Sequence, residues 1–184
     1  MSISFSSKPI SRRAALFASV ATSAALLLSA LLPQNVQPAL AAPAFQMPFP
    51  CGQAWIGSTR TNHNPLYAVD FNRTDDYGDT VVAAASGTIT RIANLGDTSY
   101  GRYMIIDHGG GWTTLYAHLS GTYGSVGASV ARGTRIGLVG DSGGVTGAHL
   151  HFEERLNGSA VKAVFNGSQV VYYDSSQSLT SRNC

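Results

Sequence analysis

Two neighbouring stretches of the chain hold residues able to do chemistry, and they point to different reactions. "HLH" (His149, Leu150, His151) sets two imidazoles two residues apart. A strand alternates its faces, so both project the same way, about 7 Å apart. Two such groups can serve one site, as joint ligands of a metal ion or as one ligand beside a base that works on water. Just before them, "GDSGG" (140–144) offers a serine nucleophile framed by glycines. Far upstream, "YAVDF" (67–71) places Asp70 between Val69 and Phe71 in a run that reads as half-buried strand. A buried carboxylate is costly unless it is paired or metal-bound. His63 lies seven residues before it. His, Asp and His are zinc ligands, and three protein ligands with an open fourth position is the arrangement of a catalytic zinc. Each feature alone has a plainer reading: surface histidines on an alternating strand, or a strand-end carboxylate accepting backbone N–H groups.

Only a fold that gathers distant strands can bring these residues together. Short runs rich in Val, Ile, Thr and Tyr supply such strands: "YAVDF" (67–71), "TVVAAA" (80–85), "GTITRIA" (87–93), "RYMIIDH" (102–108), "WTTLYAHL" (112–119), "TRIGLVG" (134–140), "LHFEERL" (150–156) and "VVYY" (170–173). Turn signals such as "NLGD", "HGGG" and "DSGG" separate them,. Beyond residue 41 no segment sustains a 3.6-residue period, so the expectation is an all-β, single antiparallel sandwich or barrel-like domain over 51–184. A short Pro-containing lead-in (42–50) precedes it, and a Ser-rich tail, "DSSQSLTSRNC", follows the last strand.

The first 41 residues read as an export signal: Lys8, Arg12 and Arg13, then the apolar run "AALFASVATSAALLLSALL", then "ALA" at 39–41,. Cleavage after Ala41 implies a secreted protein with no stable membrane association. "SRR" leaves twin-arginine and general export both open. Past residue 41 there are nine basic against ten acidic side chains, interspersed. That balance excludes the basic stripe of a nucleic-acid-binding protein. The two cysteines, Cys51 and Cys184, bracket the domain, and in an exported chain they read as one disulfide,.

"HNPLYAVDF", "LYAHLS" and "GGVTGAHLHFE", in that order, resemble the M23 zinc metallopeptidases, the lysostaphin/LytM-like peptidoglycan endopeptidases. The likeness runs from about Gln53 to Phe165 and includes "TVVAAASGTITRI" and "GTRIGLVGDSGGVTGAHLHFE". It implies the LytM-like (duplicated hybrid motif) fold, with His63, Asp70 and His151 binding one Zn2+. His118 and His149 then flank the attacking water and the substrate carbonyl, one as general base and the other as donor to the oxyanion, in an order left open. The resemblance departs at one point: six residues separate His63 from Asp70, where the familiar motif has three. The implied substrate is the peptide part of bacterial peptidoglycan, cross-links or stems, acted on in the cell wall or outside the cell. The alternative is a catalytically silent LytM-like domain that binds cell wall or regulates another hydrolase.

Neighbouring residues have expected supporting roles. His108 holds a turn, and Tyr116 is a core tyrosine that would share a strand face with His118; Asp107, Glu153 and Glu154 read first as solvated or structural carboxylates, with an acceptor that orients a ligand as the second reading of Glu153. The loops 93–102 and 119–125 are read as groove walls. The serine reading would recruit Ser142 with Asp107 and His63 or His118, as in chymotrypsin-like proteases. It leaves "HLHFE" without purpose, so the glycines of "GDSGG" are assigned to a tight turn that feeds His149 and His151.

Overall fold

A computed structural model describes residues 41–184, so the export segment read at 1–41 lies outside the described residues except for Ala41. The strands in chain order are β1 (Ala54–Thr59), β2 (Val69–Asn72), β3 (Thr80–Val82), β4 (Gly87–Asn94), β5 (Arg102–Gly109), β6 (Trp112–Ala117) and β7 (Gly121–Thr122). There follow β8 (Ser129–Val130), β9 (Arg135–Leu138), β10 (Leu150–Leu156), β11 (Ser159–Val161), β12 (Val164–Phe165), β13 (Ser168–Gln169) and β14 (Ser175–Thr180). The described residues are thus all-β, and every pairing is antiparallel. The large sheet runs β14-β1-β2-β10-β6-β5-β4-β8, with β11 added to β10; β3-β9-β7 forms a smaller sheet and β12-β13 a hairpin. Among the described residues no helix is long and apolar enough to cross a membrane.

The alternation of β10 divides the molecule. Leu150 and Phe152 face inward and pack with Val69, Phe71, Ile89, Met104, Ile106 and Tyr116 of the same sheet. Val81, Ile136 and Val139 of the small-sheet side close this core, together with Phe45, Met47 and Phe49. The expected lead-in is therefore core material. Its backbone bonds to the chain at and beyond β3, with Gln46 N donating to Ala84 O at 2.9 Å and Val82 N to Pro48 O at 3.0 Å. Phe49 stacks on Trp55 at 3.7 Å between centroids. Asn183 Nδ2 donates to Met47 O and Ala83 O, and Cys51 is bonded to Cys184.

Two strand expectations are corrected. "VVYY" forms no strand, although Val170 is buried, and Tyr172 OH donates to Tyr67 O. The edge strand β14 comes instead from the Ser-rich tail, paired residue for residue with β1, which the sequence reading passed over. Edge strands exposed on one face tolerate polar residues, and β14 alternates half-buried and exposed positions throughout,. "TVVAAA" is strand only to Val82.

One inward position is out of character. Glu154 is 2% exposed on the core face, and both its carboxylate oxygens accept from Val164 N at 3.1 Å. No cation pairs with it among the described residues, and burial pushes its carboxyl up to about 8.

Candidate metal centre

The opposite face of the sheet carries the chemistry. Asp70 of β2 stands directly across from His151 of β10, and His151 across from Ala117, the last residue of β6. Directly paired residues share a face with their Cβ atoms about 5 Å apart, so strand register alone fixes Asp70 against His151. His151 Nδ1 lies 3.2 Å from Asp70 Oδ1. His63 reaches the same oxygen through its Nε2, also at 3.2 Å. One tight turn, closed by His63 N to Arg60 O, leads into His63, and a second, closed by Ala68 N to Pro65 O, takes up part of the long His63–Asp70 connection. These return the histidine onto the strand.

His149 precedes β10 in a single bridge to Gly140 and points to the same cavity, its Nε2 3.8 Å from Asp70 Oδ1. His118 arrives differently. The strand ends at Ala117, and His118 adopts a positive φ of 61°. This left-handed conformation costs a non-glycine residue on the order of 1–3 kcal/mol and persists only where its surroundings enforce it. They do so here: His118 N donates to Tyr100 O at 3.0 Å and its Nδ1 to Ser142 O at 2.9 Å. The twist sends the imidazole into the cavity while Tyr116 stays in the core, its hydroxyl accepting from Ala84 N. The expectation that Tyr116 and His118 share a face is thereby corrected.

The role of "GDSGG" is also visible. Ser142 Oγ accepts from Arg102 N and donates to Leu119 O, both at 2.9 Å. The hydroxyl is consumed by the backbone, and it is the carbonyl of Ser142 that meets a histidine. Asp107 is exposed and accepts from Gly109 N in its own turn, so no serine triad is assembled. A Cβ on Gly140 would sit 2.7 Å from His118 O and closer still to Ser120 N. The glycine thus permits a close approach that seats His118. His108 ties Ser86 O to Thr114 Oγ1, at 2.9 and 2.8 Å, away from the cavity.

The cavity holds about 770 Å³ and is lined by the five residues just placed with Arg60, Asn64, Asn72, Ser99, Tyr100 and the stretch 144–148. Of the two expected wall loops, 93–102 contributes Ser99 and Tyr100, whereas 119–125 contributes nothing and 144–148 takes its place. Sequence reasoning missed three groups that touch or back the centre. Arg60 hydrogen-bonds Asp70 Oδ2. Tyr100 OH donates to Glu153 Oε1 at 2.8 Å, and Arg155 Nε to Glu153 Oε2 at 2.7 Å. Arg155 is legible by parity, two residues after Glu153 on one strand face; Arg60 and Tyr100 sit in loops and leave no periodic signal.

Electrostatics sort these groups. Burial would raise the Asp70 carboxyl, but hydrogen bonds from His151 and His63 outweigh it and hold it well below the usual range. Burial lowers His118 to about 4, assisted by its histidine neighbours and against its bond to Ser142. It is therefore neutral near pH 7, with Nδ1 donating and Nε2 left as an acceptor. His149 is oriented alike, Nδ1 to Gly147 O at 3.0 Å.

The donor set suits a metal. His63, Asp70 and His151 each offer one atom, all within 4.8 Å of one another. Tetrahedral zinc with ligands at about 2.0–2.1 Å holds its donors about 3.3 Å apart, and the two contacts to Asp70 Oδ1 are 3.2 Å. His151 Nε2 is 2.9 Å from Glu153 Oε1, which leaves Nδ1 for a ligand role.

Residues 64–163 match the model of peptidase family M23, beginning one residue after His63. The DD-carboxypeptidase/endopeptidase Mpg of Neisseria meningitidis is 44% identical over 87 residues, 47% of this chain and 20% of that protein. The beta-lytic metalloendopeptidase of Lysobacter enzymogenes is 31% identical over 131 residues, 62% of this chain and 70% of the relative. The deep-sea M23 metalloprotease pseudoalterin superimposes with a TM-score of 0.55 at 27% identity, covering 66% of this chain and 75% of its own. The chain thus spans 20% of the length of the Mpg relative and most of the length of the beta-lytic one. With a family match over more than half of its residues, this chain belongs to peptidase family M23.

Proposed function

We propose that the protein is an exported zinc endopeptidase that hydrolyses peptide bonds in bacterial peptidoglycan. The observation that carries the reading is the convergence of His63 and His151 on Asp70 Oδ1, with two further imidazoles at the rim of the same cavity. His63 Nε2, Asp70 Oδ1 and His151 Nδ1 hold the metal. When bound, zinc supplies a Lewis acid that activates water and polarises the scissile carbonyl.

The remaining work belongs to the chain. Arg60 occupies Asp70 Oδ2 and so turns Oδ1 towards the two histidines. Ser142 O accepts from His118 Nδ1 and Gly147 O from His149 Nδ1, so the neutral tautomer of each ring leaves its Nε2 as the acceptor. Either can accept the proton of the attacking water and deliver it to the leaving amine. The other, sharing the rim at 4.8 Å between rings, hydrogen-bonds the oxyanion,. The cavity, lined by Arg60, Asn64 and the stretch 144–148 beside the histidines, has room for a segment of peptide.

The test is digestion of purified peptidoglycan with fragments read by mass spectrometry, with and without 1,10-phenanthroline, and after zinc is restored. Zinc-dependent release of defined peptides is expected. A folded, zinc-loaded protein that releases nothing would move the assignment to a wall-binding or regulatory domain. Release that ignores the chelator would remove the metal from the mechanism.

A further inference from the structure

Behind His151 lies a second group of side chains to which the reaction above assigns no step, and of these Tyr100 also lines the cavity. Glu153 is wholly buried and both its oxygens are engaged: Oε1 accepts from His151 Nε2 at 2.9 Å and from Tyr100 OH at 2.8 Å, and Oε2 accepts from Arg155 Nε at 2.7 Å. Arg155 Nη2 donates to Tyr100 OH at 3.2 Å, which closes a ring of three side chains around the carboxylate. The donors of the centre differ in their outer support. Asp70 leans on Arg60, His63 Nδ1 is buried without a hydrogen-bond partner, and His151 alone is backed by a closed network.

Each member of the ring supplies something the others do not. A carboxylate accepting from Nε2–H fixes which imidazole nitrogen is left for a ligand and raises its basicity. A buried carboxylate stays ionised only if a charge or several donors hold it so, and Arg155 provides the charge. Tyr100 fixes the rotation of the carboxylate and is itself anchored at two points. Its carbonyl accepts from His118 N, and its ring stands 5.4 Å from that of His151 and 5.6 Å from that of Tyr103. One residue thereby braces both the ligand His151 and the strained backbone of His118.

We propose that Tyr100 and Arg155 are positioning residues, acting through Glu153 to hold His151 with Nδ1 presented to the metal. This rests on the reading of His151 as a zinc ligand. The test compares the full chain with Tyr100→Phe, which removes one oxygen atom, and Arg155→Lys, which keeps the charge but loses the fork. Three quantities are read: zinc affinity by chelator competition, the His151 Nε2–H proton by NMR in the zinc-loaded protein, and kcat with KM separately.

Loss of such outer partners typically weakens metal binding about 10- to 100-fold. Tyr100→Phe should fall near the lower figure, with the His151 proton moved and exchanging faster, kcat reduced and KM little changed. Arg155→Lys should show the same pattern, enlarged. Wild-type zinc affinity and an unmoved His151 proton in both variants would overturn the proposal. If the unsubstituted protein binds no zinc, the metal reading itself falls. The same proton in the zinc-free protein then decides: a change in the variants supports the ring as the support of His151, and none overturns it.

Discussion

The buried carboxyl of Glu154 allows a stability prediction independent of the metal. Its folded value, about 8, stands above the 4.5 of an unperturbed glutamate, because burial disfavours the charged form and only Val164 N opposes it. A folded state that holds its proton more tightly than the unfolded chain loses stability as pH rises between the two values. Below about pH 4.5 the group is neutral in both states and contributes nothing. Between about 4.5 and 8 it should cost about 1.4 kcal/mol per pH unit, and above that the cost levels off near 5 kcal/mol,.

Glu154→Gln keeps the shape and the acceptor for Val164 N while removing the ionisation. The measurement is urea unfolding of both proteins at several pH values, with chelator present so that metal binding adds nothing. Relative to the parent, the variant should gain about 1 kcal/mol at pH 5, about 3 at pH 7 and about 5 at pH 9, apart from a constant offset,. The offset arises because the amide NH2 lacks a partner, an unsatisfied donor worth about 1–3 kcal/mol against folding. The slope is therefore the result that matters. Parallel stability curves would refute the reasoning, since they would mean that the carboxyl titrates alike in folded and unfolded chains.

His151→Ala should abolish zinc binding, whereas His149→Ala should keep zinc and lose turnover by about 10²- to 10⁴-fold, as metal analysis and peptide hydrolysis would show. Gly140→Ala should drive His118 from its seat and cut activity at least about tenfold while zinc content is unchanged, because the new Cβ meets backbone rather than movable side chain. Phe49→Ala should cost about 3–5 kcal/mol in denaturant unfolding, the value for a fully buried aromatic, since Phe49 is stacked on Trp55 and is no part of a loose leader,. Reduction of Cys51–Cys184, which closes a loop of 133 residues, should lower stability by up to about 5 kcal/mol on the loop-entropy account, read as a shift in the urea midpoint,.

How much of this was legible in the sequence depends on whether a residue obeys a period. Asp70, His149 and His151 announced themselves because strand alternation puts them on a known face, and the cross-strand register of β2 and β10 does the rest. The strand runs rich in Val, Ile and Thr were legible for the same reason. His63 was legible only as a residue type, since its position depends on two turns that no pattern encodes. His118 misled by parity: counting from Tyr116 assumes that the strand continues, and it stops one residue early. β14 was hidden because an edge strand with one open face can be built from Ser and Gln, which composition assigns to loops. Tyr100 and Arg60 belong to loops whose path is set by distant partners, so local sequence carries no trace of their aim.

The pairing of β1 with β14 also bears on how the chain reaches this state. Ala54 lies opposite Thr180, so the strand that opens the sheet gains its outer neighbour only when nearly all the intervening chain is in place. Such distant pairings fold slowly, on the order of milliseconds to seconds. A chain synthesised from its N-terminal side presents β1 as an open edge throughout that wait, beside the apolar Phe45, Met47 and Phe49. Unpaired edges and exposed apolar faces are where chains exchange strands or aggregate. A product interrupted before Ser175 should therefore self-associate rather than persist as a smaller monomer. In the complete domain the last strand acts as the latch that ends this exposure, and the Cys51–Cys184 bond keeps it shut.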